Sequence, residues 1–367
     1  MVNQAVKKTL LLLILLTHCF SVFAKEVKLF KSFGIDNPMS YKFVMTIAQD
    51  KNGFMWFGGQ EGLHRYDGHQ LLSFYNERTQ DNSLSSNAIS RIIIDENQRL
   101  WVGTRGGGLN LYEPESKSFR HLTTKTKHAQ ITNDGINTLF EDSEGKIWIG
   151  TENGLNILSI NGERWDVVQI RQQLTNKLSL SHNTVYSIIE NDDKEVWVGT
   201  NGGGISVFDL SGNFKRTIKY APNKTDNYVN KYVNALYKDK QGNVWVGTIG
   251  KGLLKYSADE RNISHFMFNV DDERSISSNT INNIYQDFEN NIWVATDNGL
   301  SIYDDRTQLF ERFNYSVSNP YSVSSNYIIN FFEDQNGLMW IGTNNGLNRW
   351  DPSMMTFRQY AGREHSE

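Results

Sequence analysis

The stretch Asp142-Ser143-Glu144-Gly145-Lys146-Ile147-Trp148-Ile149-Gly150-Thr151, followed by Gly154-Leu155, decides the fold, because close copies of it recur along the chain. Seven tryptophans stand in this same local context: Trp56, Trp101, Trp148, Trp197, Trp245, Trp293 and Trp340. Consecutive tryptophans of this set lie 45 to 49 residues apart. Spacing this regular indicates a repeat architecture, which overrides the two or three domains that a length of 367 residues would otherwise suggest.

Each repeat contains two turns with a strand between them. An aspartate stands six residues before the tryptophan in every repeat except the fourth, where the residue is Asn191, and a glycine such as Gly145 often follows at the third position. An Asp side chain accepts hydrogen bonds from amides further along the turn, and glycine supplies a positive φ, so the pair predicts a tight hairpin. The Gly-Thr after the tryptophan and the following Gly-Leu mark a second turn and a third strand.

The segments between these turns are typical of β-strands. Residues 92–94, 185–189 and 328–332 are short runs of branched and aromatic side chains, and a more variable fourth strand follows, as at residues 309–313. A helix would need longer runs with a 3.6-residue period. We therefore predict an all-β fold over residues 25–367, namely a seven-bladed β-propeller of four-stranded antiparallel blades.

The two ends of the repeat region both resemble the fourth strand of a blade. Residues 27–33 precede the first complete repeat, and residues 356–360 follow the last one. Because an unpaired blade edge favours aggregation, a propeller gains from closing its ring. We expect residues 27–33 to insert into the seventh blade as an N-terminal closing strand, with residues 356–360 at its edge or outside the sheet.

Residues 1–24 have the three zones of a secretory signal peptide. A lysine pair at 7–8 precedes the apolar run 10–16, and small residues ending at Ala24 supply the cleavage site. The apolar run is too short for a transmembrane anchor. Lipidation of Cys19 is the alternative, but His18 occupies the position where a small residue is needed. We expect cleavage after Ala24 and a periplasmic location.

The composition after residue 24 excludes several classes of protein. Cys19 is the only cysteine, so neither a disulfide nor a thiolate metal site is expected in the mature chain. The remaining 35 basic and 41 acidic residues give a formal charge of 35 − 41 = −6. This acidity, without a basic aromatic cluster, argues against a nucleic-acid partner.

Motifs for catalysis, metals or cofactors are absent from the sequence. The histidines lack metal-ligand spacing, and there is neither a Gly-x-Ser-x-Gly elbow nor a phosphate-binding Gly-x-x-x-x-Gly-Lys loop. We therefore predict no catalytic residue, no metal and no cofactor. A propeller can still combine an acid and a base from different blades, so a polysaccharide hydrolase or lyase is the alternative function.

The repeat unit at residues 142–155 resembles the two-component regulator propeller repeat, and the resemblance covers nearly all of residues 25–367. It implies an extracytoplasmic sensor propeller that is followed, in such receptors, by an immunoglobulin-like domain, a transmembrane helix and a histidine kinase or diguanylate cyclase. Some members respond to oligosaccharides. Only residues 361–367 follow Tyr360, so we expect either a free periplasmic sensing module or a truncated receptor, with a membrane kinase or cyclase as partner.

The loops between the second and third strands are expected to surround the mouth of the central channel, together with the connectors between blades. Polar residues in these loops depart from the repeat pattern, as residues that select a ligand should, although solvated turn residues would look the same. Their amides and charges suit a hydroxyl-rich ligand such as a carbohydrate. The predicted ligand-binding residues are Glu61, Arg105, Glu152, Asn153, Asn201, Lys251, Asp297, Asn298, Asn344 and Asn345.

The sequence thus favours a non-catalytic periplasmic module that senses a ligand or binds a partner within a signal-transduction system. A structural protein-interaction scaffold is a third interpretation.

Overall fold

The computed structural model describes residues 28–33, 43–176, 178–218 and 231–353. Residues Phe30–Asp351 form one compact unit. The predicted signal peptide and the predicted strand at 356–360 lie outside the described residues. All regular elements of the described residues are β-strands, so this part of the chain holds no helix that could cross a membrane.

The strands form seven blades of four. Blades 1 to 3 comprise β2 (Val44–Gln49), β3 (Met55–Gly59), β4 (Gly62–Tyr66) and β5 (Leu71–Phe74); β6 (Ile89–Ile94), β7 (Leu100–Thr104), β8 (Leu109–Glu113) and β9 (Ser118–Leu122); and β10 (Ile136–Glu141), β11 (Ile147–Thr151), β12 (Gly154–Asn161) and β13 (Arg164–Ile170). Blades 4 and 5 comprise β14 (Val185–Glu190), β15 (Glu195–Thr200), β16 (Gly204–Asp209) and β17 (Phe214–Ile218); and β18 (Val233–Lys238), β19 (Val244–Thr248), β20 (Leu253–Tyr256) and β21 (Ile263–Phe266). Blades 6 and 7 comprise β22 (Ile281–Gln286), β23 (Ile292–Thr296), β24 (Gly299–Asp304) and β25 (Leu309–Phe313); and β26 (Ile328–Glu333), β27 (Met339–Thr343), β28 (Gly346–Trp350) and β1 (Phe30–Ser32).

The seven-bladed propeller predicted from the repeat is confirmed. Each sheet is an antiparallel meander in chain order, except that the seventh takes its fourth strand from the N-terminal end of the compact unit. The first strand of each blade contacts the first strand of the next, and β2 contacts β26 to complete the ring. The predicted closing strand is also confirmed, because β1 pairs with β28 in a register that sets Phe30 opposite Trp350.

The turn between the first and second strands is organised by both oxygens of one carboxylate. Asp142 Oδ1 accepts the backbone N–H of Glu144 at 3.0 Å and that of Lys146 at 2.9 Å. Asp142 Oδ2 accepts the indole N–H of Trp148 at 2.7 Å. The sequence predicted the turn but not the bond from the indole N–H to Oδ2. It recurs at 2.7–2.9 Å in six blades, as Asp50–Trp56, Asp95–Trp101, Asp142–Trp148, Asp239–Trp245, Asp287–Trp293 and Asp334–Trp340.

The repeat tryptophans are buried between blades. Trp245 of blade 5 packs against Tyr303 of blade 6 with ring centroids 5.1 Å apart, in an edge-to-face arrangement. At the ring closure Phe33 supplies the link, because its ring lies 5.1 Å from Trp340 of blade 7 and 5.0 Å from Tyr66 of blade 1. Such aromatic pairs stabilise a core beyond the area they bury. In six of the seven blades the indole thus joins its own turn to the adjacent blade.

Adjacent blades also approach closely at a glycine in the second strand. A Cβ atom at Gly150 would lie 2.6 Å from the Val185 side chain of the next blade. A Cβ at Gly103 would likewise lie 2.7 Å from Ile136. Glycine is used here because it leaves room for a branched side chain from the neighbouring first strand.

A further contact between blades starts from the last residue of the first strand. In blade 7, Glu333 Oε2 accepts the backbone N–H of Phe288 in the turn of blade 6 at 2.8 Å. Gln286 and Gln49 make the equivalent contact with Lys240 and Gln335 at 2.7 and 2.8 Å. Burial raises the pKa of Glu333 to about 7; the nearby carboxylate of Asp287 adds to this effect, and the Phe288 N–H opposes it.

The Asp–Trp bond can be tested in the one blade that lacks it. Among the described residues, the buried indole N–H of Trp197 has no acceptor, because Asn191 replaces the aspartate. We expect Asn191→Asp to supply that acceptor and to raise the free energy of unfolding by about 1 kcal/mol. The reverse change, Asp142→Asn, should lower it by about 2 kcal/mol, since a buried donor loses its partner. Urea unfolding followed by tryptophan fluorescence measures both changes, and a destabilised Asn191→Asp protein would contradict the assignment.

The contact at Glu333 predicts a pH dependence of stability. The folded state raises the pKa of Glu333 from 4.5 to about 7, so it binds a proton that the unfolded state releases between these pH values. Stability from this group is therefore fully present below pH 4.5 and is lost as the pH rises through 7. Glu333→Gln keeps a hydrogen-bond acceptor but removes the charge. It should raise the free energy of unfolding at pH 8 by on the order of 1 kcal/mol, which is less than the full pKa shift implies because the side chain is partly solvated.

Thermal unfolding from pH 4.5 to 8 measures this difference. The matched control is Glu190→Gln in blade 4, where the Ser143 amide and hydroxyl both donate to the carboxylate at 2.7 and 2.6 Å. This change should weaken the protein at pH 8 rather than strengthen it, because it removes a carboxylate that two donors stabilise. Parallel pH profiles of the wild type and Glu333→Gln would refute the prediction.

Candidate functional site

The first strand of every blade carries a β-bulge near its start. In each blade the pairing with the second strand shifts by one residue at this point, which leaves one residue without a partner. A bulge of this kind re-aims a side chain and is common beside functional sites. The unpaired residues of blades 1 to 7 are Met45, Ser90, Asn137, Tyr186, Asn234, Asn282 and Ile329.

All seven bulge residues line one cavity of about 330 Å³, which we term the central cavity. Because the first strands form the innermost ring, every blade contributes at least one side chain to its wall. The other lining residues are Phe43, Arg91, Arg105, Thr138, Ser187, Ile188, Ala235, Leu236, Asn283 and Tyr327. The wall therefore combines carboxamides, hydroxyls and aromatic rings with two guanidinium groups, and none of these lining residues carries a carboxylate.

Some of the cavity amides hold the wall together. Asn234 Nδ2 donates to the carbonyl of Ile281 at 2.8 Å, and Asn282 Nδ2 donates to the carbonyl of Ile328 at 2.7 Å. Each bond joins a first strand to that of the next blade. Asn137 differs, because its buried Nδ2 has no hydrogen-bond partner among the described residues. The cavity thus contains both structural amides and amide capacity that the protein leaves unused.

The loop between the second and third strands is fixed by a buried threonine. Thr151 Oγ1 donates to the carbonyl of Gly154 at 2.7 Å and accepts the backbone N–H of Asn153 at 3.1 Å. Equivalent bonds occupy the N–H groups of Lys251, Asn298 and Asn345 at 3.0–3.2 Å. These four residues were predicted to bind ligand. Their side chains are exposed, and they do not line the central cavity.

The residue directly after the second strand lies closer to the channel. Its backbone N–H donates to the carbonyl that precedes the first strand of the same blade, as from Arg105 to Ala88 at 2.8 Å. We call these positions the inner rim, and those described with this bond are Arg105, Glu152, Asn201, Ile249, Asp297 and Asn344. Five of them are among the predicted ligand-binding residues, whereas Ile249 is not, because the prediction rests on polar side chains.

Three predicted residues gather around one tyrosine of the cavity. Asn201 Nδ2 donates to Tyr186 Oη at 3.3 Å. Burial raises the pKa of Tyr186; the carboxylate of Glu152 raises it further, and the guanidinium of Arg105 lowers it. Of the ten predicted residues only Arg105 lines the central cavity itself. The seven predicted residues that do not belong to the group around Tyr186 are Glu61, Asn153, Lys251, Asp297, Asn298, Asn344 and Asn345. Ligand binding by any of the ten stays a prediction.

Sequence reasoning missed the cavity residues on the first strands. Their signal was a polar residue inside an apolar run, as at Ser90-Arg91 between Ile89 and Ile92, or Asn282-Asn283 between Ile281 and Ile284. Regular alternation would explain one polar residue facing away from the core. It could not reveal the bulge, which turns an additional residue toward the cavity.

The fold and the cavity together define the class of protein: a seven-bladed propeller whose channel is lined by side chains from every blade, most of them polar. The sequence model named two component regulator propeller matches residues 38–61, 83–106, 130–153, 179–202, 227–250, 275–298 and 322–345, once in each of seven repeats. The chain belongs to this family, as the resemblance of residues 142–155 indicated.

Solved structures share the fold. The "extracellular domain of the putative hybrid two component system BT3049 from B. thetaiotaomicron" is 26% identical with a TM-score of 0.74, and the match covers 89% of this chain and 42% of that one. The extracellular domain described as the "putative one component system BT4673" of the same organism is 24% identical with a TM-score of 0.67, over 89% and 40% of the two chains. The chain thus spans less than half the length of both. Both are extracellular domains, which agrees with the expected location outside the cytoplasm.

A propeller enzyme also has this fold. Virginiamycin B lyase from Staphylococcus aureus, in a catalytically inactive form with quinupristin, is 12% identical with a TM-score of 0.64, over 88% of this chain and 99% of that one. At this identity the likeness concerns the fold alone. The comparison with curated proteins gives no match. Within the described residues, no group of three or more histidine, cysteine, aspartate or glutamate side chains is placed to hold a metal ion.

Proposed function

We propose that this chain is a periplasmic ligand-sensing module of a signal-transduction system and that its ligand binds in the central cavity. The observation that carries the proposal is the bulge that each of the seven blades places in the wall of the same cavity. A ligand there would contact several blades at once. The similarity to extracellular domains of two component systems supports a sensing role.

The chemistry of the cavity favours a hydroxyl-rich ligand such as a carbohydrate. Carboxamides donate and accept hydrogen bonds, and the lining rings of Phe43, Tyr186 and Tyr327 offer apolar surface to a sugar ring. A volume of about 330 Å³ lies at the small end of the range for small-molecule sites. The cavity therefore suits a small sugar or the terminal residue of an oligosaccharide.

Signal output would come from a partner or from another part of a longer protein. The chain spans 42% of the length of the BT3049 domain, so the remaining parts of such a receptor have no counterpart in the described residues. A membrane histidine kinase or a diguanylate cyclase is the partner we propose. The effect of ligand binding would reach this partner through the blades, because wall bonds such as Asn234–Ile281 couple one first strand to the next.

A polysaccharide hydrolase or lyase is the second candidate. The fold likeness to virginiamycin B lyase favours it, because that structure shows that a propeller of this kind can be an enzyme. The two functions differ in whether the sugar is consumed. A structural scaffold, the third candidate, would bind a protein partner and show no response to sugars.

We expect a neutral or acidic oligosaccharide from a panel to raise the melting temperature of the protein without being converted. A matched pair of variants in blade 6 locates the site. Asn283→Leu removes a carboxamide from the cavity wall and should weaken binding roughly tenfold, whereas Asn298→Leu, in the exposed loop, should leave affinity unchanged.

Calorimetric titration measures the affinities, and chromatography of the sugar after incubation measures turnover. A tenfold loss in Asn298→Leu with normal binding by Asn283→Leu would move the site to the loops. Consumption of the sugar would establish the enzyme instead.

A further inference from the structure

Arg91 is a cation without a counterion. It lies on β6 directly after the bulge residue Ser90 and lines the central cavity. Burial removes water from its guanidinium and lowers the pKa of Arg91, with no opposing effect from a neighbouring charge. Among the described residues, no carboxylate or other acceptor bonds to this guanidinium. By contrast, the guanidinium of Arg216 contacts Glu195 at 2.5 Å and Glu260 at 2.6 Å.

Two donors of blades 2 and 3 are also unused, as is Ser187 Oγ of blade 4, which lines the same cavity. Ser90 Oγ and Asn137 Nδ2 are both buried, and neither has a hydrogen-bond partner among the described residues. Both residues line the same cavity, on the adjacent first strands of blades 2 and 3. Buried polar groups in folded proteins are nearly always hydrogen-bonded, so unused donors that cluster call for a specific reason.

The second guanidinium of the cavity belongs to the same blade. Arg91 is paired with Gly103 in the β6–β7 register, and Arg105 follows two residues later at the inner rim. No described acceptor contacts the Arg105 side chain. Carboxylates of the inner rim come from other blades, Glu152 on blade 3 and Asp297 on blade 6, and Glu152 acts on Tyr186 together with Arg105. Both charged residues of the cavity lining therefore come from blade 2.

A half-buried cation without a counterion, beside buried donors without acceptors, is costly unless a ligand supplies the missing partners. Guanidinium groups recognise carboxylate, phosphate and sulfate oxygens through paired hydrogen bonds. The amides at the opposite wall, including Asn234, Asn282 and Asn283, are uncharged and suit hydroxyl groups. The cavity therefore has an anion-binding end and a neutral polar end.

We propose that Arg91, Ser90 and Asn137 form a binding site for an oxyanion, and that the ligand of this propeller is an acidic, hydroxyl-rich molecule. Arg105 would contact the same group from the rim. This inference rests on the proposed role of the central cavity as the ligand site. It narrows the ligand from carbohydrates in general to those that carry a carboxylate, sulfate or phosphate group.

The oxyanion site is tested first with inorganic sulfate and phosphate at constant ionic strength set by sodium chloride. We expect a saturable rise in the melting temperature of the wild type with either anion. Arg91→Met should melt at the same or a higher temperature without the anion, because it removes a half-buried charge that has no counterion, and should lose the saturable rise. Arg91→Lys keeps the charge without the planar guanidinium and should respond more weakly than the wild type.

Arg261→Met is the matched control, because Arg261 is highly exposed and lies outside the cavity lining. It should respond to sulfate and phosphate as the wild type does. A wild type that shows no saturable response, or an Arg91→Met protein that retains it, would overturn the oxyanion site.

The ligand class is tested with D-glucuronate against D-glucose and glucose 6-phosphate against glucose, in calorimetric titrations. We expect an acidic sugar to bind roughly tenfold or more tightly than its neutral analogue, and Arg91→Met to remove this preference. The carboxylate and the phosphate ester identify which oxyanion the site accepts. Equal binding of acidic and neutral sugars would refute the anion site while leaving the cavity as the sensing site. Acid binding that Asn283→Leu and Arg91→Met both leave unchanged would refute the cavity itself.

Discussion

The hydrogen bond between a turn aspartate and the indole N–H six residues later is the interaction on which the ring depends. One carboxylate ends a hairpin with its first oxygen and orients a tryptophan with its second, as Asp142 does for Trp148. The oriented indole then packs on an aromatic ring of the next blade. Local turn geometry and contact between blades are therefore set by the same side chain, which explains why a sheet of only four short strands can be repeated into a stable ring.

The regular frame and the irregular cavity use different positions in the same strand. Inter-blade packing requires similar residues in every blade, such as the tryptophans and the glycine represented by Gly150. The bulge residue has no pairing partner and does not enter the interblade core, so its identity is free to vary. Around the ring it is a methionine, a serine, an isoleucine, a tyrosine or an asparagine. A symmetric scaffold thereby supports an asymmetric site.

Because of this asymmetry, the chemistry of the cavity wall differs from one side of the ring to the other. Blade 2 contributes Arg91 and Arg105, whereas blades 5 and 6 contribute carboxamides and blades 1 and 7 contribute mainly apolar groups such as Phe43 and Ile329. A ligand would therefore bind in one orientation, with its acidic group toward blade 2. Membership in the two component regulator propeller family, and structural similarity to extracellular domains, are consistent with a receptor module of this design.

The sequence by itself determined the number of blades, the strands and turns within each blade, and the closing strand near Phe30, because these depend on local patterns that repeat with the tryptophans. The residues predicted from the sequence include Arg105, Glu152 and Asn201 of the inner rim, together with exposed loop residues such as Asn153. Only the tertiary structure decided which polar groups reach the central cavity. A bulge shifts the alternation of side chains along a strand by one residue. The face of the sheet from which Ser90 or Asn282 projects could therefore not be predicted from sequence spacing. Arg91 likewise lines a cavity only when the seven first strands converge, because residues of every blade form its wall.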